Sequence, residues 1–102
     1  MLETFTRETF APHLGETFRL GLDGGSDLEL TLIETTDLSQ PGASQAPGAP
    51  RAPFSVVFRG PREALLPQRI YRLRHDRLGA FEVFLVPIGP DAVGMRFEAV
   101  FS

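Results

Sequence analysis

From Thr17 onward, apolar and polar residues alternate with a period of two, the repeat that sets successive side chains of a strand on opposite faces. Phe18, Leu20 and Leu22 share one face of the first such run. In the second, Leu28, Leu30 and Leu32 alternate with Asp27, Glu29 and Thr31. Asp23-Gly24-Gly25-Ser26 between them has the composition of a tight turn. The two runs therefore predict a β-hairpin with one dry face and one acidic, wet face. The pattern dissolves over 38–53, where four prolines and several Gly, Ala and Ser residues oppose helix and central strand alike. Strand periodicity returns in Phe54–Gly60, Arg69–His75, 81–88 and Met95–Phe101. Gly60-Pro61, Asp76-Arg77-Leu78-Gly79 and Gly89-Pro90-Asp91 serve as breakers.

Ahead of the strands, one short helix is expected. Thr6 suits an N-cap, and Phe5 and Phe10 then fall at the N′ and N4 positions of a hydrophobic staple. Pro12 and Gly15 end it within about two turns, so that Phe10 and Leu14 plug one end of the core. Six strands joined by short connections favour antiparallel neighbours. The expected fold is mostly β, a small antiparallel six-stranded barrel or rolled sheet with one short N-terminal helix. Residues 1–102 form a single domain with a flexible Pro/Gly/Ala-rich loop at 38–53.

Composition narrows the chemistry. Among 102 residues there is no cysteine, which removes disulfides, thiolate metal sites and thiol nucleophiles. The first residues lack a basic head and an apolar run, and no stretch approaches a membrane span of about 18 apolar residues. A cytoplasmic product is expected, with export inside a larger assembly left open. All ten basic residues are Arg, and charge divides along the chain. Residues 1–50 hold eight acids and two Arg, residues 51–102 five acids and eight Arg. Such a chain can pair its own strands electrostatically or dock onto copies of itself.

Catalytic candidates are thin. His13 and His75 show no HxH or HxxxH metal spacing, and His75-Asp76 reads most simply as a strand end. No serine lies in a nucleophile elbow, and Glu82 and Glu98 read as solvated acids on the wet face of a sheet. No catalytic residue, metal ligand or cofactor is expected, and the chain reads as a non-enzyme. Arg69, Arg72, Arg74 and Arg77, with Tyr71 and His75 interleaved, form the one basic stripe. Arg and aromatic groups on a barrel surface can hold a single strand of nucleic acid. Alternation, however, sends Tyr71 and Leu73 inward if Arg72 and Arg74 face out, and the net charge of −3 opposes the same reading.

The second half carries a further pattern: Ala52-Pro53-Phe54-Ser55-Val56-Val57-Phe58-Arg59-Gly60-Pro61, Leu66-Pro67-Gln68, Ile70-Tyr71-Arg72-Leu73 and His75. It continues in Leu78-Gly79, Phe84-Leu85-Val86-Pro87-Ile88-Gly89-Pro90-Asp91 and Gly94-Met95-Arg96-Phe97-Glu98-Ala99-Val100-Phe101. With Phe10-Ala11-Pro12 and Gly15-Glu16-Thr17-Phe18, it resembles a family of uncharacterised small bacterial proteins, a domain of unknown function of about this length. The resemblance covers nearly the whole chain apart from 38–51. It implies no activity, cofactor or catalytic residue. Relatives encoded beside phage-tail-collar proteins imply a setting in tail-fibre-like assemblies.

Two strands are apolar on both faces. Phe54, Val56 and Phe58 oppose Val57, and Phe81, Val83 and Leu85 oppose Phe84, Val86 and Ile88. A small barrel hides one face of each strand, so the other is expected to meet a protein partner or a second copy. The candidate interaction surface is Phe84, Val86 and Ile88, with Arg72 and Arg74. The expected function is a non-enzymatic structural or interaction module, an accessory of a phage-tail-like or fibre-type bacterial assembly. The alternative is a small barrel binding a small ligand or single-stranded nucleic acid through its Arg-rich face.

Overall fold

The period-two runs become six antiparallel strands because each can turn one apolar row onto a shared interior. The computed structural model describes residues 5–22, 25–39 and 52–101. A helix of one turn, α1 (Arg7–Phe10), runs into a 3-10 turn, Ala11–His13. The strands are β1 (Thr17–Gly21), β2 (Asp27–Asp37), β3 (Phe54–Gly60), β4 (Arg69–His75), β5 (Gly79–Pro90) and β6 (Met95–Phe101). They close into a barrel in the order β1-β2-β3-β6-β5-β4. Two three-stranded meanders, β1–β3 and β4–β6, therefore meet along β3–β6 and again along β1–β4. The first contact is long, running from Phe54↔Phe101 to Gly60↔Met95. The second rests on Arg19↔Arg74 and Leu20↔Leu73.

The interior rows are those the alternation selects. Phe18, Leu20, Leu30, Leu32, Phe54, Val56, Phe58, Leu73, Leu85, Phe97 and Ala99 are all buried. Tyr71 is buried with them, and its hydroxyl donates to the Pro67 carbonyl at 2.7 Å, which satisfies its polar end. Thr6 caps α1, its N–H donating to the Thr9 hydroxyl at 2.9 Å, and the Phe5 and Phe10 rings meet at 5.5 Å as a staple requires. Phe10 closes the end of the barrel. Leu14 does not join it: the chain leaves the 3-10 turn extended, with Leu14 exposed.

Two bulges bend the longer strands. The β2–β3 register shifts between Leu32 and Glu34, and the β5–β6 register between Pro87 and Gly89. Gly89 holds φ near 96°, a conformation open to glycine and costly for most other residues. The ladder consequently continues to Pro90, where sequence alone suggests a turn at 89–91. The ends of the Pro/Gly/Ala-rich segment come together through Leu38 N–H donating to the Pro53 carbonyl at 2.9 Å. The central part of the segment expected to be flexible, 40–51, lies outside the described residues, as do Asp23 and Gly24 of the first hairpin turn.

Charge assists closure. Arg19 and Arg74 face each other across the β1–β4 seam, an unfavourable pairing on its own. Arg74 forms an ion pair with Asp27 and Arg19 lies 3.7 Å from Asp76. Asp27 of the first hairpin thus engages Arg74 of the second meander, and Arg19 of the first faces Asp76 of the second.

Candidate functional site

The outer face of β4, β5 and β6 holds the side chains that the interior does not take. In β4, Arg72, Arg74 and Ile70 point outward between buried Tyr71, Leu73 and His75. In β5, Glu82 and Phe84 alternate with buried Phe81, Val83 and Leu85. Ile70 pairs directly with Phe84, and Arg72 with Glu82. Val86 pairs with Glu98 across the other edge of β5. Phe84 precedes Val86 by two residues and Val100 follows Glu98 by two, just beyond the paired positions of the two strands. The exposures are 63% for Ile70, 49% for Phe84 and 59% for Val100, large values for apolar side chains on three successive strands. Val86 is half-buried and Ile88, at the bulge, is 37% exposed. Contiguous exposed apolar surface of this kind marks a contact site.

The candidate residues fall into different settings. Phe84, Val86 and Arg72 share this face. Ile88 sits apart at the bulge. Arg74 is engaged with Asp27. Val57, the outward residue of β3, is buried between Glu34 and Glu98 on the flanking strands. The stripe 69–77 does not offer stacked rings to solvent, since Tyr71 belongs to the core and the Arg69 guanidinium lies 4.9 Å over its ring.

A second cluster escaped the sequence reading, because its members are far apart in the chain. The 3-10 turn brings His13 and Glu16 together, and the end of β4 adds His75. His13 Nδ1 and His75 Nε2 approach the same Glu16 Oε1 at 2.9 and 2.8 Å. The two imidazole rings lie 4.5 Å apart, and His75 also packs on Phe18 at 4.4 Å. The only sequence signal was the His-x-x-Glu spacing.

The three ligand atoms fall within 4.8 Å of one another, close enough to raise the question of a divalent cation. Hydrogen-bond polarity answers it. His75 Nδ1 accepts the backbone N–H of Arg77 and of Leu78 at 3.1 and 3.2 Å, so its proton resides on Nε2 and is donated to Glu16. A metal at Nε2 would drive that proton onto Nδ1, against two N–H donors. The cluster is a clasp holding the N-terminal segment to β4. Among the described residues, no buried side-chain nitrogen or oxygen lacks a hydrogen-bond partner.

The clasp has a pH signature. Donation from His75 first, and then from His13, holds the Glu16 carboxyl below the ordinary glutamate value of 4.5. A carboxylate lowered by folding contributes stability that is fully present above its unfolded pKa. That contribution is lost as the pH falls through the folded value. The stability gap between wild type and Glu16→Gln should therefore be widest above about pH 5 and close in more acidic solution. Urea titrations at a series of pH values read it directly, and a gap constant across that range would remove Glu16 from the clasp.

A shallow hollow of about 670 Å³ lies over β1, β2 and β3, lined by Arg19, Asp27, Glu29 and Arg59 among others. Arg59 is engaged there: its Nε and Nη2 donate to Asp91 Oδ2 at 2.9 and 2.5 Å.

Residues 5–101 match the family model for a domain of unknown function (DUF6916). The chain belongs to this family. The DUF6916 match spans both meanders and α1, so the barrel as a whole, and not one hairpin of it, is the family's domain. No curated protein and no solved structure matches the chain. No helix among the described residues is long and apolar enough to cross a membrane.

Proposed function

We propose that this DUF6916 domain is a non-enzymatic interaction module, docking within a larger assembly through the outer face of β4, β5 and β6. The observation that carries the reading is the exposed apolar row of Ile70, Phe84 and Val100 on three successive strands. Its chemistry is that of a protein contact: apolar side chains at the centre, with Arg72, Glu82 and Glu98 at the border. A fibre-type assembly is the setting that the family resemblance suggests.

The test is a photo-crosslinking amino acid placed at Phe84 in cells that make the protein, with Val93 as control. Val93 is an exposed apolar residue on the β5–β6 turn, away from the row. A discrete protein adduct from position 84 and none from 93 is the expected result. Equal adducts at both positions, or none at 84, would overturn the reading.

A further inference from the structure

The same face has a symmetry that selects its partner. Phe84 stands at the centre, with Ile70 beside it on β4 and Val86 following it on β5. Arg72 and Glu98 occupy diagonally opposite corners: Arg72 pairs with Glu82 on one side of Phe84, and Glu98 pairs with Val86 on the other. β5 runs between β4 and β6, so the two corner charges belong to non-adjacent strands of one chain. Neither forms an ion pair among the described residues.

Resting on the interaction-module reading, we propose that the occupant of this face is a second copy of the chain, related by a two-fold axis. The axis lies in the face, passes through Phe84 and runs diagonally to the strands. Rotation about it lays Phe84 on the partner's Phe84, sets Ile70 against the partner's Val86, and brings Arg72 to the partner's Glu98. The pairing is reciprocal, so each dimer forms two Arg72–Glu98 bridges around Phe84, Ile70 and Val86, and Glu82, beside Arg72, meets the partner's Val100. An isologous contact needs this self-complementarity. The strands of the two copies then cross at roughly 90°, one of the two established ways for sheets to pack face to face. Other axes serve the charges less well. Rotation about the other diagonal, for example, sets Arg72 against the partner's Arg72.

The test is a charge exchange read by light scattering and sedimentation, with circular dichroism melts confirming that each variant folds. The wild type is expected to dimerise. Arg72→Glu and Glu98→Arg should each weaken the dimer by about tenfold or more, as loss of a close interfacial charge pair does. The double variant should recover it. Recovery is diagnostic because Arg72 and Glu98 lie on non-adjacent strands within one chain. A dimer indifferent to the single changes, or a double variant that stays dissociated, overturns the proposed pairing. A wild type that remains monomeric while position 84 still crosslinks to a different protein overturns self-association and leaves the module reading standing. Monomer together with no adduct removes both.

Discussion

Phe10→Ala is expected to lower the stability of the barrel by about 3–5 kcal/mol, the range for truncating a fully buried phenylalanine. Phe10 is 0% exposed, and five rings surround it: Phe5 and Phe101 at 5.5 Å, Phe54 and Phe81 at 6.0 Å and Phe18 at 6.3 Å. They come from the N-terminal segment and from β1, β3, β5 and β6. Truncation thus leaves a cavity that no single side chain can refill. It also detaches α1, which at one turn has no stability apart from its packing. Small domains hold only about 5–15 kcal/mol in total, so the loss is a large share. Urea unfolding measures it. A change below about 1 kcal/mol would mean that the N-terminal segment is not the plug described above.

Gly94→Ala should cost about 3 kcal/mol, the upper part of the range for overpacking. A Cβ at Gly94 would overlap the Gly60 carbonyl oxygen and stand 3.1 Å from Arg59 Cγ. The nearer obstacle is backbone, so the β5–β6 turn must move away from β3. Movement there is opposed by Asp91. Its Oδ1 accepts the N–H groups of Val93 and Gly94 at 2.8 Å, and its Oδ2 receives Arg59. Those bonds, with the Arg59 guanidinium first among them, hold the Asp91 carboxyl far below the ordinary carboxylate range. Gly94→Ala therefore threatens the turn and its anchor together. Denaturation of Gly94→Ala beside Asp91→Ala separates the two causes. If Gly94→Ala proves neutral, the close approach of the turn to β3 is relieved without loss, and the packing argument fails.

Much of this architecture can be read from side-chain period alone. The bounds of β3, β4 and β6 follow from apolar alternation closed by Gly-Pro, Asp and Gly residues, and Thr6 with Phe5 and Phe10 announces the helix. Reading fails where the cause is not local. β2 continues to Asp37 through Thr35 and Thr36, which carry no apolar signal, because β3 supplies paired partners there. β5 continues past Ile88 because a bulge at Gly89 restores the register. Leu14 resembles a core residue until the direction in which the chain leaves the 3-10 turn is known. Val57 and Phe84 have similar local patterns. Val57, however, lies on a strand flanked by two glutamates, whereas Phe84 neighbours Ile70. The clasp of His13, Glu16 and His75 exists only once the barrel brings β4 to the N-terminal turn.

The two-meander layout has a consequence for how the chain finds its fold. Pairings β1–β2, β2–β3, β4–β5 and β5–β6 all join neighbours in sequence, so each meander can zip up locally at low entropic cost. The β3–β6 and β1–β4 contacts require distant segments to meet, and loop-closure entropy places them late. What draws the halves together at that point includes the charge asymmetry, acids on β2 and arginines on β4 attracting before the β1–β4 and β3–β6 ladders form. Closure along β1–β4, with only two paired positions, is therefore expected late in folding. The clasp spans the same seam, tying Glu16, just ahead of β1, to His75 at the end of β4.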